Sequence, residues 1–209
     1  MRFARRLTPV MALVLSCAAP LFERAAIAPG LGGALGVSAG SRVWTTGTDD
    51  LYPDLFVQCQ SGQAHAGLRY GVSESWALFI EAGGGPILAP DKRFMPPFVF
   101  DGQLGVKLRT GDGGAVKLGV GFPGVVDVTF LNDFAPRWTT AVGIGGRGLS
   151  LMAAHHIQLA SWLQGHPALS VAVMPVANDT PGWKWSVGGC LGFGLEFGNA
   201  GSTEDDYLR

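Results

Sequence analysis

Large apolar residues and small or charged ones alternate, position by position, through most of this chain. Between residues 183 and 197 the odd positions carry Trp183, Trp185, Val187, Gly189, Leu191, Phe193, Leu195 and Phe197. The even positions carry Lys184, Ser186, Gly188, Cys190, Gly192, Gly194 and Glu196. Successive Cβ atoms of a strand point to opposite faces, so this stretch has one large apolar face and one of glycine, small groups and isolated charge. The pattern recurs at 98–109, where Phe98, Phe100, Leu104, Val106 and Leu108 alternate with Asp101, Gln103, Gly105, Lys107 and Arg109. A glycine-rich turn at 110–114 leads into Val116, Leu118, Val120 and Phe122, set against Lys117, Gly119 and Gly121. A second hairpin carries Ala64, Ala66, Leu68 and Tyr70 against His65, Gly67 and Arg69, then Trp76, Leu78 and Ile80 against Phe79 and Glu81. Further strands are expected at 31–44, 138–148, 149–160 and 168–176. Residues 149–162 also fit helical spacing, and 124–131 are either a separate strand or the far end of one bent at Pro123. The pattern predicts eight strands, or ten if 124–131 pairs separately.

Composition narrows the class. Glycine supplies 32 of 209 residues, about twice its usual ~7% share, while Asp, Glu, Lys and Arg together make only 15%. Hydrophobic content of 47% excludes a charge-driven disordered chain, and no G-X-Y period suggests collagen. With 15 basic and 16 acidic residues the chain has no cationic footprint for nucleic acid. No stretch after Phe22 is apolar enough for a transmembrane helix.

The first thirty residues read as an address. Arg2, Arg5 and Arg6 precede an uncharged stretch from Leu7 to Phe22, the charge-then-apolar order of a secretory signal. Val14-Leu15-Ser16-Cys17 resembles the lipobox of bacterial lipoproteins, which implies cleavage after residue 16 and lipidation of Cys17. The alternative is cleavage after Ala28, at the tripeptide Ala26-Ile27-Ala28. The expected organisation is a signal peptide at 1–16, a linker at 17–30, a barrel at 31–197 and a flexible acidic tail at 198–209. In an oxidising compartment Cys59 and Cys190 either pair or stay as buried thiols.

The polar faces are mostly glycine and alanine with single charges, an unusual surface to present to water. Small residues suit the inside of a narrow barrel instead, with Arg69, Glu81, Asp101, Lys107, Arg109, Lys117, Lys184 and Glu196 pairing across its lumen. Apolar residues then face outward, and Tyr70, Trp76, Trp138, Trp183, Trp185, Phe193 and Phe197 are the lipid-facing or girdle candidates. The export signal, the alternating strands, the turns and the aromatics together resemble the bacterial outer-membrane β-barrel proteins. That resemblance covers residues 31–197 and implies an all-β, closed, antiparallel up-and-down barrel embedded in the outer membrane, in contact with membrane lipid.

Motifs for chemistry are sparse. There is no G-x-S-x-G, H-E-x-x-H, Walker loop or C-x-x-C, so no catalytic residue, metal ligand or cofactor is assigned. The glycine-rich run 143–148 lacks the strand-to-helix context of a phosphate loop. His155 and His156 would point to opposite faces of a strand, whereas His65 and His156 can face the lumen and meet Glu81 or Asp101. Three functions follow. The first is a structural, binding or narrow-pore barrel working through its loops, its partner an envelope protein or a small molecule. The second is a barrel enzyme acting on lipid or peptide. The third is a lipid-tethered soluble barrel holding an apolar ligand.

Overall fold

The computed structural model describes residues 22–45, 56–88, 98–122, 125–145, 148–177 and 183–198. Eleven strand segments follow in chain order: β1 (Gly30–Thr45), β2 (Phe56–Gly71), β3 (Trp76–Leu88), β4 (Phe98–Gly111), β5 (Gly114–Phe122), β6 (Val125–Ala135), β7 (Trp138–Gly145), β8 (Gly148–His155), β9 (Ile157–Ala160), β10 (Leu163–Ala177) and β11 (Trp183–Gly198). Sequential strands pair antiparallel, and β11 returns to β1 from Gly32↔Gly198 to Trp44↔Ser186. The sheet thus closes on itself as a barrel, with β9 paired on one side only, to β10.

The barrel has ten staves, not eight. Residues 125–135 form their own strand between β5 and β7, resolving the ambiguity at Pro123. Residues 149–160 are extended rather than helical, and His156 interrupts them, so β8 and β9 run in succession along the same partner, β10. That partner starts at Leu163, five residues before the expected 168, because inward parity continues back through His166 and Gln164.

One end of the barrel collects the tight connections at 72–75, 112–113, 136–137 and 161–162, together with Gly30 and Gly198. Gly113, at φ +74°, supplies the left-handed corner between β4 and β5 that a side chain would strain. The opposite end carries the connections of 46–55, 89–97 and 178–182, which lie outside the described residues.

Facing follows the alternation. Ala77, Lys107, Thr139, Ser170 and Glu196 are buried against the lumen, while Leu104 and Leu191 are 62% and 66% exposed on the outer wall. Leu35, Ile80, Val120, Val126, Ile144, Leu151 and Leu169 continue that exposed apolar surface around the circumference. Tyr70, Trp76, Phe134, Trp138 and Trp162 stand exposed at the tight-turn end, and Phe98, Phe100 and Phe122 at the other, the last two with ring centroids 6.5 Å apart.

Candidate functional site

The lumen holds the chain's own N-terminal segment. Residues 22–29 run inside the wall before β1 begins, with Phe22, Arg24, Ala25 and Ile27 buried. Phe22 fits because β1 and β11 present glycine at its level. A Cβ on Gly36 or Gly194 would stand 2.5 Å from its ring, closer than any side chain tolerates. The ring also lies 5.7 Å from that of His65.

Two charges on the segment meet two opposite demands of the wall. Lys107 of β4 and Lys117 of β5 are directly opposed across the strand pair, an unfavourable juxtaposition of like charge. The Glu23 carboxylate bridges them, accepting from Lys107 Nζ at 3.0 Å and from Lys117 Nζ. Lys107, 1% exposed, uses its remaining donors on the carbonyls of Arg24 and Ala26. Burial pushes the Glu23 carboxyl up, but Lys107 and Lys117 outweigh it and hold the group well below the usual carboxylate range. On β6, Asp133 accepts from the backbone N–H groups of Ala25 and Ala26 at 3.0 and 3.2 Å and pairs with Arg24 at 3.7 Å. Arg24 also donates to the Pro136 carbonyl.

Around this occupant the wall's polar groups are knitted together. Lys117 bonds Glu81 as well and sits 4.4 Å over the Phe79 ring. Gln103 donates to Glu81 at 2.7 Å. Arg69 pairs with Glu196 at 2.6 Å, and His166 Nε2 lies 3.1 Å from the same carboxylate. From there a buried chain of contacts crosses the floor: His166 Nδ1 to His156 Nδ1 at 2.8 Å, His156 Nε2 to the Thr139 hydroxyl at 2.6 Å, and Thr139 to Asp133. Thr139 and His166 have no exposed surface, so this chain of contacts ties staves together.

A third group stands nearer the loop end. Ser38 Oγ and His65 Nε2 are 3.0 Å apart across β1 and β2. One cross-strand row runs Gly36, His65, Gly83, Asp101 over β1 to β4. Because Gly83 has no side chain, Asp101 Oδ1 and His65 Nδ1 both come within 2.6 Å of where its Cβ would be, and the two groups face each other over the gap. His65, Asp101, Phe22, Glu23 and Lys117 line a cavity of about 140 Å³.

Of the charged residues expected in the lumen, Arg69, Glu81, Asp101, Lys107, Lys117 and Glu196 lie there, Asp101 in the group with His65 and the others in the ion-pair networks. Arg109 does not. It has inward parity but sits at the tight-turn rim, exposed, 3.7 Å from Asp112, where strand parity no longer means burial. The side chain of Lys184 lies outside the described residues. Among the aromatics, Tyr70, Trp76, Trp138 and Phe193 are exposed on the outer wall and Phe197 is half-buried there. Those of Trp183 and Trp185, with the Cys59 side chain, Cys17 and the tail beyond Gly198, lie outside the described residues, while Cys190 is buried. His155 and His156 diverge as expected, the first 4.7 Å from the Trp138 ring and the second inward. The sequence reading missed Phe22, Glu23 and Arg24, assigned to a linker, and also Ser38, Thr139 and His166. Inward parity within β1, β7 and β10 was a signal for the last three.

No family model and no curated protein matches the chain. Solved structures of similar course include Ail, the attachment invasion locus protein of Yersinia pestis, at 13% identity over 81% of this chain and all of that one, with a TM-score of 0.35. An outer-membrane channel from Pseudomonas putida F1 aligns at 8% identity over 86% of this chain and all of that one, TM-score 0.45. The outer-membrane protease OmpT from Escherichia coli aligns at 10% identity over 82% and 97% of the two chains, TM-score 0.25.

Proposed function

We propose that this chain is a small β-barrel of the bacterial outer membrane, exported by its N-terminal signal, with a lumen closed by its own residues 22–29. The observation that carries this is the continuous exposed apolar band around a closed barrel, bordered by aromatics at both ends. A water-facing wall of that composition far exceeds the few hundred Å² of apolar patch that soluble proteins leave open. Closure of β11 onto β1 pairs the staves with one another around the wall, as hydrocarbon demands. Soluble carriage of an apolar ligand would need a greasy interior, and this one is lined by ion pairs. A lumen so filled does not support general diffusion, so the role is structural or binding, exercised at the loop end, with transport limited to what passes when the segment yields. The test is recovery in outer membranes, extraction only by detergent, and a gel mobility that changes on boiling. Recovery as a detergent-independent soluble protein overturns it.

A second reading, hydrolysis of an ester within the lumen, has Ser38, His65 and Asp101 behind it. Ser38 Oγ would attack the ester carbonyl carbon while His65 Nε2 takes the hydroxyl proton and passes it to the departing alcohol. Water then frees the acyl group from Ser38, and Asp101 orients the imidazole. A fluorophosphonate probe tests it: labelling that is lost in Ser38→Ala supports a reactive serine. An unlabelled wild type, or labelling that survives in Ser38→Ala, removes it.

A further inference from the structure

We infer that segment 22–28 is a permanent part of the mature barrel, so that removal of the export signal ends upstream of Phe22 and the cut after Ala28 is not made. This rests on the reading of the chain as an exported barrel. The wall by itself is incomplete in charge. Arg69 pairs with Glu196 and Lys117 with Glu81, whereas Lys107 pairs with Glu23 of the segment, and Lys107 and Lys117 are cross-strand neighbours. Removing Glu23 would leave two opposed ammonium groups without the carboxylate that bridges them. On the other side Asp133 would lose two backbone donors and the Arg24 guanidinium together. The segment carries the complement of both, a carboxylate followed by a guanidinium, in the order and spacing that reach β4 and β5 on one hand and β6 on the other.

Shape agrees with charge. Gly36 and Gly194, on neighbouring strands, open a niche that the Phe22 ring fills. Close approach extends to the start of β1, where a Cβ on Gly71 would clash with the Ala28 carbonyl and with Pro29. Lys107 binds two carbonyls of the segment, those of Arg24 and Ala26. The sequence around the rejected cut is consistent: Pro29 would become the first residue of a chain cleaved after Ala28.

The test takes the full chain expressed in a Gram-negative host and purified from membranes in detergent, with intact mass and N-terminal peptide mapping. The expected mature chain begins before Phe22 and contains residues 22–28. A chain beginning at Pro29 overturns the inference. Retention alone does not prove docking, so Glu23→Gln is compared with wild type by thermal unfolding, which should fall by at least about 2–4 °C. In a Lys107→Met/Lys117→Met background the same change should shift the midpoint little. A retained segment with no Glu23 dependence in the wild-type wall also overturns it. Intact mass can be read whether the protein is found in membrane or in solution, so failure of the envelope reading is separately visible.

Discussion

Placing arginine at Leu191 should cost far more than placing it at Leu31, although the two leucines are almost equally exposed, at 66% and 68%. Leu191 lies midway along β11, paired with Ala39 of β1 and Leu169 of β10. Leu31 is eight residues further along β1, at the tight-turn end beside Tyr70. At roughly 3.3 Å per residue and a tilt of about 40°, eight residues separate the two by about 20 Å along the barrel axis. The apolar band of an outer-membrane barrel is about 25 Å tall, so with Leu191 near its middle Leu31 stands at or beyond its edge. Leu191→Arg is then expected to destabilise by about 2–4 kcal/mol and Leu31→Arg by about 0–1 kcal/mol. The difference amounts to about one to three powers of ten in the folding equilibrium. The assay is reversible guanidinium unfolding in lipid vesicles, read by tryptophan emission and by heat-modifiable mobility. Were the outer wall in contact with water, both substitutions would fall within about 0.5 kcal/mol of zero. Equal costs at the two sites would refute the depth reasoning, and negligible costs at both would refute the membrane reading itself.

Three further outcomes follow from the lumen. Since the folded Glu23 carboxyl is held below its unfolded value of 4.5, its stabilisation is complete above about pH 4.5 and is lost as pH falls through the lower folded value; thermal midpoints measured against pH should fall in that acid range, less steeply in Glu23→Gln. Breaking the buried Arg69–Glu196 pair with Arg69→Met should cost about 3–5 kcal/mol, and Arg69→Met/Glu196→Met should recover much of it, which denaturant titration of the three variants will check. Gly194→Ala should lower the thermal midpoint in the wild type, but not further once Phe22→Ala has vacated the niche.

The orientation of the wall was legible because alternation is a local property with a period of two. Leu191 beside Cys190, and Leu108 beside Lys107, each declare their faces within three residues, and the structure separates them accordingly. Strand number was harder to read. Only two residues, Pro123 and Gly124, part β5 from β6, and such a pair is equally at home in a bend. Arg109 marks where parity stops informing: it obeys the inward register yet sits beyond the end of the packed lumen. Residues 22–29 had no period to read at all. Glu23 and Arg24 look like ordinary charges after a leader, and their meaning lies 84 residues away in Lys107 and more than a hundred away in Asp133.

That segment also changes the meaning of the glycines. In a barrel whose inward side chains fill the lumen, large residues would be needed on ten staves, and glycine would leave voids. Here the wall is thinned at Gly36 and Gly194, where Phe22 enters, and at Gly83, where His65 and Asp101 close over the gap. The filling is thus carried by a piece of backbone that needs room of its own, plus a few long charged side chains that need lateral space to meet. A glycine-poor inner face would have to expel the segment, and with it the anion between Lys107 and Lys117. Glycine content, opposed lysines and the inserted segment 22–29 are therefore one arrangement, each intelligible only in the presence of the other two.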